Sequence, residues 1–167
     1  MGNTNGNLQD AFAGESQANR RYLFSAEKAD EAGHKQIARL FRAAAEAETF
    51  HARNHLKVLG GIKSGKENLE AAVGGESYEF TEMYPSFIEQ AKAENNKDAE
   101  WSFDMANKVE QIHHRLFQEA LSGLESGKSS KETPYFVCQV CGNTIEGEAP
   151  ERCPICGAPR SKFKKVE

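Results

Sequence analysis

The chain has 167 residues, 38% of them hydrophobic and 28% charged, with a formal net charge of −4. This composition is typical of a soluble protein with one ordinary domain, or with one domain and a small added module. The negative charge argues against nucleic acid as a partner. No apolar run approaches the roughly 18 to 20 residues that span a membrane. No signal-peptide pattern is present, so we expect a cytoplasmic location.

Four stretches of the chain have helical character, and turn-forming residues separate them. Gly33 and Gly60 are suited to end the first two helices, Ser64 is suited to cap the third, and Asn95-Asn96 is suited to the last turn. The predicted helices are Leu8–Ala32, His34–Leu59, Lys66–Glu94 and Lys97–Leu124. Four long helices with short connections predict a four-helix bundle.

The third helix contains residues that disfavour a helix interior. Pro85 removes a hydrogen bond to the carbonyl of Thr81, so we expect a kink or local unwinding there. Gly74 and Gly75 also weaken the helix. We expect glycines beside Glu15 and Glu76 to let neighbouring helices approach closely.

The composition changes after residue 125. We predict a helical domain over residues 1–125, a polar linker over 126–134, and a separate module over 135–167. The module is too short to bury a sufficient core unaided, so it needs a staple such as a metal ion.

An internal repeat carries the strongest functional signal. The segment Asn7–Ser16 recurs 61 residues later as Asn68–Ser77, and Glu48-x-x-His51 recurs at an offset of 62 as Glu110-x-x-His113. Each half therefore holds one lone glutamate, Glu15 or Glu76, and one Glu-x-x-His pair whose members share a helix face. Unpaired carboxylates in a bundle interior would be very costly, and two divalent cations would compensate them. This set matches the general ligand pattern of di-iron carboxylate bundles.

One carboxylate breaks the symmetry of the repeat. Glu79 has Ala18 as its counterpart, so only the second half offers an extra ligand. Tyr22 and Tyr84 lie two turns past Glu15 and Glu76. They are interpreted either as core aromatics with a polar tip or as donors that orient ligand carboxylates.

All four cysteines lie in the C-terminal module, as two Cys-x-x-Cys pairs. Cys138, Cys141, Cys153 and Cys156 have the spacing of a tetrahedral four-thiolate site. Zinc and a single iron both accept this ligand set. Zinc is the simpler interpretation for the module alone, whereas a di-iron bundle in the same chain favours a redox-active iron.

Over essentially its whole length the chain resembles the rubrerythrin family. The resemblance rests on Gly14-Glu15-Ser16, Arg21-Tyr22, Ala45 to Ala52, Gly75 to Glu79, Met83-Tyr84-Pro85, Glu110 to His113 and the cysteine-rich tail. It implies a mainly α fold, a ferritin-like four-helix bundle followed by a small rubredoxin-like module. The implied cofactors are two bundle irons, oxo-bridged when oxidised, and one iron in the four-cysteine site.

The resemblance also implies roles for individual residues. The implied di-iron ligands are Glu15, Glu48, His51, Glu76, Glu79, Glu110 and His113. Glu48 and Glu110 would bridge the irons, and one iron would exchange Glu79 for His51 on reduction. Tyr22 and Tyr84 would donate hydrogen bonds to ligands.

By the same resemblance the protein is a peroxidase that reduces hydrogen peroxide to water. Electrons would pass through the four-cysteine iron from a rubredoxin or an NAD(P)H-dependent reductase. Family members form dimers in which the rubredoxin-like module of one chain lies near the di-iron site of the other, so we expect a homodimer or a larger assembly.

Two other functions remain open from the sequence. An iron-handling, ferroxidase-type protein would use the same bundle but gives no reason for the cysteine module. A zinc-stapled interaction protein would explain the module without redox chemistry.

Overall fold

The computed structural model describes residues 3–127 and 132–166 of the chain. The predicted linker over residues 126–134 falls partly outside this range, because residues 128–131 are not described. The chain divides into two compact units, Met1–Lys63 and Ser64–Glu167. Across the described residues, no helix is both long and apolar enough to span a membrane.

The first unit is a hairpin of two long helices, α1 (Thr4–Glu31) and α2 (Lys35–Val58). Gly33 joins them with a φ of 80°, in the left-handed region that glycine adopts most readily. Alanines fill the contact between the helices and let the two backbones approach closely. The buried alanines are Ala26, Ala29, Ala38, Ala45 and Ala52. Those of α2 recur every seven residues, so they form one stripe along the helix.

The second unit begins with an interrupted helix. It consists of α3 (Gly65–Tyr78), a π-helical turn (Glu79–Met83) and α4 (Tyr84–Ala93). Ser64 caps α3 in a reciprocal capping box with Glu67. Tyr84 follows the π-helical turn directly, and Pro85 comes next. Local disruption near the proline was predicted, and the structure realises it as a widened turn.

Helix α3 continues through both glycines that weaken it. A Cβ added at Gly14, Gly74 or Gly75 would meet no other atom within 4 Å among the described residues. Within its own unit, therefore, none of these glycines mediates a close contact between described helices.

Helix α5 (Lys97–Glu125) packs against α3, the π-helical turn and α4. Asn95 makes the preceding turn with a φ of 55°, and Asn96 caps α5 by accepting a hydrogen bond from the backbone N–H of Ala99. The rings of Tyr84, Phe87 and Phe103 fill the contact between α4 and α5, with centroids 5.5 to 6.3 Å apart. The predicted mainly α fold is confirmed.

The C-terminal module of the second unit is a three-stranded antiparallel sheet. Its strands are β1 (Tyr135–Cys138), β2 (Thr144–Glu146) and β3 (Phe163–Val166), in the order β2-β1-β3. The sheet is small, and its buried cluster is made of Cys138, Cys153 and Ala158. The module lies against α5, where a Cβ at Gly142 would be 3.9 Å from Cγ1 of the buried Val109.

Candidate metal centres

The first candidate half-site lies in the helical hairpin of the first unit. Glu48 and His51 stand one turn apart on α2, and Glu15 approaches them from α1. Nδ1 of His51 lies 2.7 Å from Oε2 of Glu48 and 3.8 Å from Oε1 of Glu15. One ligand atom from each residue fits within a cluster no wider than 4.8 Å. The repeat predicted this trio, and the structure brings it together.

The second candidate half-site has the same composition in the second unit. Glu110 and His113 lie one turn apart on α5, and Glu76 comes from α3. Nδ1 of His113 lies 2.6 Å from Oε2 of Glu110 and 4.0 Å from Oε2 of Glu76. The three ligand atoms again lie within 4.8 Å of one another.

The charges of this second trio conflict without a cation. Burial and the adjacent Glu110 carboxylate raise the pKa of Glu76 to about 7. The hydrogen bond to Glu110 raises the pKa of His113 against the opposing effect of burial. Protons therefore neutralise part of the charge that a metal ion would otherwise balance.

Glu79 and Tyr84 lie beside this trio. Burial raises the pKa of Glu79, and Glu110 adds to the effect. Burial also raises the pKa of Tyr84, with contributions from the charges of Glu110 and Glu79. Glu79 is not a member of the compact trio, and the separate role expected for it stays a prediction.

The two tyrosines have mainly aromatic contacts within their own units. Tyr22 packs 6.0 Å from the ring of Phe41, and Tyr84 packs edge-on to Phe87. Neither phenol donates a hydrogen bond to a carboxylate of its own unit among the described residues. The ligand-orienting role that the resemblance implies stays a prediction.

The four cysteines converge as the spacing predicted. Sγ of Cys138 lies 3.7 Å from Sγ of Cys156, and Sγ of Cys141 lies 3.6 Å from Sγ of Cys153. Burial raises the pKa of Cys153, but hydrogen bonds from the backbone N–H groups of Cys156 and Ile155, together with those of the Cys141 and Cys156 side chains, lower the pKa to about 7. Burial raises the pKa of Cys141 and Cys156.

These distances fit a tetrahedral metal ion. A metal–sulfur bond of about 2.3 Å in tetrahedral geometry requires sulfurs about 3.8 Å apart. The observed separations are close to that value, and the thiols would give up their protons on binding. The carboxylate and imidazole trios suit iron or manganese better than copper.

Polar residues that the sequence analysis did not identify support both kinds of site. Asn143 is buried and its Nδ2 donates to Sγ of Cys153 at 3.5 Å. Oγ1 of Thr144 lies 2.8 Å from Nε2 of His113, although 31 residues separate them. Asn19 donates to the carbonyl of Ala45 and to Oγ1 of Thr49, one residue from Glu48. Only the position of Thr144 just after a cysteine knuckle could have drawn attention to it.

The module contacts the half-site of its own chain through the bond between Thr144 and His113. The resemblance instead implied that the module of one chain lies near the di-iron site of another. The structure therefore adds a contact within one chain that the sequence analysis did not anticipate.

Comparison with known proteins agrees with these two kinds of site. Residues 6–121 match the rubrerythrin family model, and residues 136–164 match the model of the rubrerythrin rubredoxin-like domain. The chain is 37% identical to rubrerythrin-2 of Clostridium acetobutylicum, over 94% of this chain and 93% of that protein. It is 34% identical to nigerythrin of Nitratidesulfovibrio vulgaris, over 98% of this chain and 86% of that protein.

The solved structures of nigerythrin are also similar. The partially reduced state has a TM-score of 0.59 at 32% identity and covers 99% of this chain and 88% of nigerythrin. The fully reduced, all-ferrous state gives the same TM-score, identity and coverage. The predicted ferritin-like class with a rubredoxin-like module is thereby confirmed. The chain belongs to the rubrerythrin family.

Proposed function

We propose that this protein is a peroxidase that reduces hydrogen peroxide to water at a di-iron carboxylate centre. The reaction consumes two electrons and two protons for each peroxide and yields two waters. Electrons would arrive one at a time through an iron held by the four cysteines. The proposal extends the oxidoreductase character of the family to a particular substrate.

The observation that carries the proposal is the contact between the two kinds of site. The cysteine module lies against α5, and Thr144 of the module bonds to His113 of the carboxylate trio. An iron–thiolate centre changes its charge by one electron while keeping its four ligands. A peroxidase that needs two electrons gains from such a centre beside its ligands, whereas a storage protein does not.

The two half-sites supply the ligands that two irons require. Together they offer four glutamates and two histidines, and Glu79 adds a fifth carboxylate. When bound, the irons would supply the two electrons that break the O–O bond and would act as Lewis acids. The residues of the chain hold the ions, balance their charge, and give up protons as the ions bind.

Glu79 and Tyr84 are suited to the change of charge during turnover. Glu79 is available as an additional negative ligand, and the raised pKa of its carboxyl indicates that an extra anion is costly without an added positive charge. The raised pKa of Tyr84 keeps its phenol protonated at neutral pH, so its hydroxyl can donate a hydrogen bond to an oxygen ligand.

We further propose a cytoplasmic homodimer or larger assembly that receives electrons from a rubredoxin or an NAD(P)H-dependent reductase. Large apolar side chains on the helices support association, because Phe24, Leu40 and Trp101 are each more than half exposed. Sedimentation of the iron-loaded protein would test the assembly. A monomer at micromolar concentration would contradict it.

The peroxidase proposal can be tested by rapid mixing. Iron-loaded protein is reduced anaerobically and mixed with hydrogen peroxide, and oxidation is followed by absorbance. We expect fast oxidation with one peroxide consumed per two electrons. Glu48→Gln and Glu110→Gln should each slow the reaction strongly, because each removes a negative ligand from one trio.

Exposed glutamates on the same helices provide matched controls. Glu46→Gln on α2 and Glu119→Gln on α5 should react like the unmodified protein. Equal rates for the ligand variants and the controls would contradict the proposal. Retention of added iron as a mineral, with no peroxide consumed, would support iron handling instead.

A further inference from the structure

The two histidines of the half-sites, His51 and His113, differ in the surroundings of their Nε2 atoms. His51 is 55% exposed, and within the described residues of its unit Nε2 has no hydrogen-bond partner. His113 is 28% exposed, and Nε2 lies 2.8 Å from Oγ1 of Thr144. The sequence repeat makes the two histidines equivalent, so the difference in hydrogen bonding arises from Thr144 of the cysteine module.

The hydroxyl of Thr144 faces His113 as an acceptor. Oγ1 donates its single proton to the carbonyl oxygen of Gly142 at 3.2 Å. Because a hydroxyl has only one proton, the lone pairs of Oγ1 remain for His113, and the Nε2–H of the imidazole donates to them. Nδ1 then points at Glu110 and Glu76, and the space between is filled by a proton or by a metal ion.

The cysteine site fixes the position of Thr144. Gly142 follows Cys141 with a φ of 81°, and its N–H donates to the carbonyl of Cys138 at 2.9 Å. The neighbouring Asn143 accepts from the N–H of Cys138 and donates through its side chain to Sγ of Cys153. Thr144 is therefore held by the same turn that presents the sulfurs, and a metal ion bound by those sulfurs would hold that turn in place.

We propose that Thr144 is a positioning residue for His113, through which the metal-closed cysteine module pre-organises the second half-site for its own ion. The inference rests on the proposed function insofar as the half-sites bind metal. A histidine ligand holds its metal best when its other N–H has a fixed acceptor, and loss of such an acceptor typically weakens metal affinity about 10- to 100-fold. Among the described residues of its own unit His51 has no such acceptor, so we expect the effect at the second half-site.

Zn²⁺ is a suitable probe, since it binds both ligand sets without redox chemistry. The full-length reduced protein is titrated with Zn²⁺ against a chelating dye; the thiolates fill first, and binding by the carboxylate trios follows. Thr144→Val removes the hydroxyl at nearly constant shape, and we expect it to weaken the later binding about 10- to 100-fold. Thr144→Ser restores the hydroxyl and should return the affinity to within about threefold of the unmodified protein.

Thr81→Val is a matched control, because among the described residues the Thr81 hydroxyl donates to the carbonyl of Ser77, one turn earlier along the chain, at 2.7 Å. It should leave Zn²⁺ affinity unchanged. A second measurement follows the Nε2–H of His113 by ¹⁵N–¹H NMR in the Zn²⁺-loaded protein, assigned by its absence from His113→Gln. This proton should exchange slowly in the unmodified protein and in Thr144→Ser, and rapidly in Thr144→Val.

If Thr144→Val binds Zn²⁺ as tightly as the unmodified protein, or if Thr144→Ser fails to restore binding, the inference about Thr144 is overturned and the proposed function is not affected. A loaded His113 with no proton on Nε2 would also overturn the inference. If the unmodified protein binds no Zn²⁺ beyond the ion of the cysteine site, the metal-binding premise of the proposed function fails, and the inference fails with it.

Discussion

Replacing Glu76 with glutamine should stabilise the metal-free protein above neutral pH. Burial, together with the nearby Glu110, raises the pKa of Glu76 from 4.5 to about 7. Because the folded-state pKa lies above the unfolded one, the folded state binds the proton more tightly. The stability that this proton contributes is complete below about pH 4.5 and is lost as the pH rises through about 7.

The pKa values give the size of the effect. At 1.36 kcal/mol per pKa unit, the change from 4.5 to about 7 has an upper bound of about 3.4 kcal/mol. Solvent reaches part of the Glu76 carboxylate and screens its charge, so we expect a loss of about 1–2 kcal/mol. Glutamine has no charge to desolvate and should avoid that loss. For a protein of this size the gain corresponds to roughly 2 to 8 °C in melting temperature.

Thermal unfolding followed by far-ultraviolet circular dichroism measures this difference. Metal-free, reduced protein is compared with Glu76→Gln at about pH 5 and about pH 8, on either side of the raised pKa. Glu119→Gln on the exposed face of α5 is the control and should change little at either pH. A variant that is less stable than the unmodified protein at the higher pH, or equally stabilised at both, would refute the reasoning.

Three further outcomes are expected. Zn²⁺ uptake by the carboxylate trios should strengthen between about pH 6 and about pH 8, because Glu76 and His113, which both have a raised pKa, must give up protons; isothermal titration should show a smaller rise for Glu76→Gln, and an equal rise would contradict the part assigned to Glu76. Val109→Ala should lower the free energy of unfolding, measured with urea, by about 2–3 kcal/mol, since Val109 is 2% exposed; a decrease below about 0.5 kcal/mol would contradict its packing role. Gly142→Ala should lower the free energy of unfolding by about 1–2 kcal/mol, because Gly142 has a φ of 81°, whereas a Cβ there would meet only an ordinary contact. Gly142→Asn should lower it less, and equal melting temperatures for the two variants and the unmodified protein would contradict this.

Helix ends were predictable where a local residue determines them. Gly33 and Ser64 mark boundaries that the structure reproduces within a residue or two, because a left-handed glycine and a capping box act through neighbouring backbone groups. The first helix instead begins at Thr4, four residues before the predicted start at Leu8. Asn3 caps it by accepting from the N–H of Gly6, which lets helix form through a segment rich in asparagine and glycine.

The pairs of candidate ligands were predictable, because spacing of three residues on a helix determines which side chains share a face. The contact between Thr144 and His113 was not, since it depends on how a separate module packs on α5. The environment of Glu79 could not be predicted either, because the sequence indicates an extra carboxylate but not the π-helical turn in which it lies.

That turn accounts for an irregularity in the internal duplication of the chain. Glu15 and Glu76 are 61 residues apart, whereas Tyr22 and Tyr84 are 62 apart, as are Glu48 and Glu110. The second copy therefore has one residue more between Glu76 and Tyr84 than the first copy has between Glu15 and Tyr22. A π-helical turn accommodates one residue more than an α-helical turn, so Tyr84 lies on the same side of its helix as Tyr22 does despite the additional residue. The additional residue and the unmatched Glu79 fall in the same short segment, so the two copies differ there both in length and in the carboxylates that they offer.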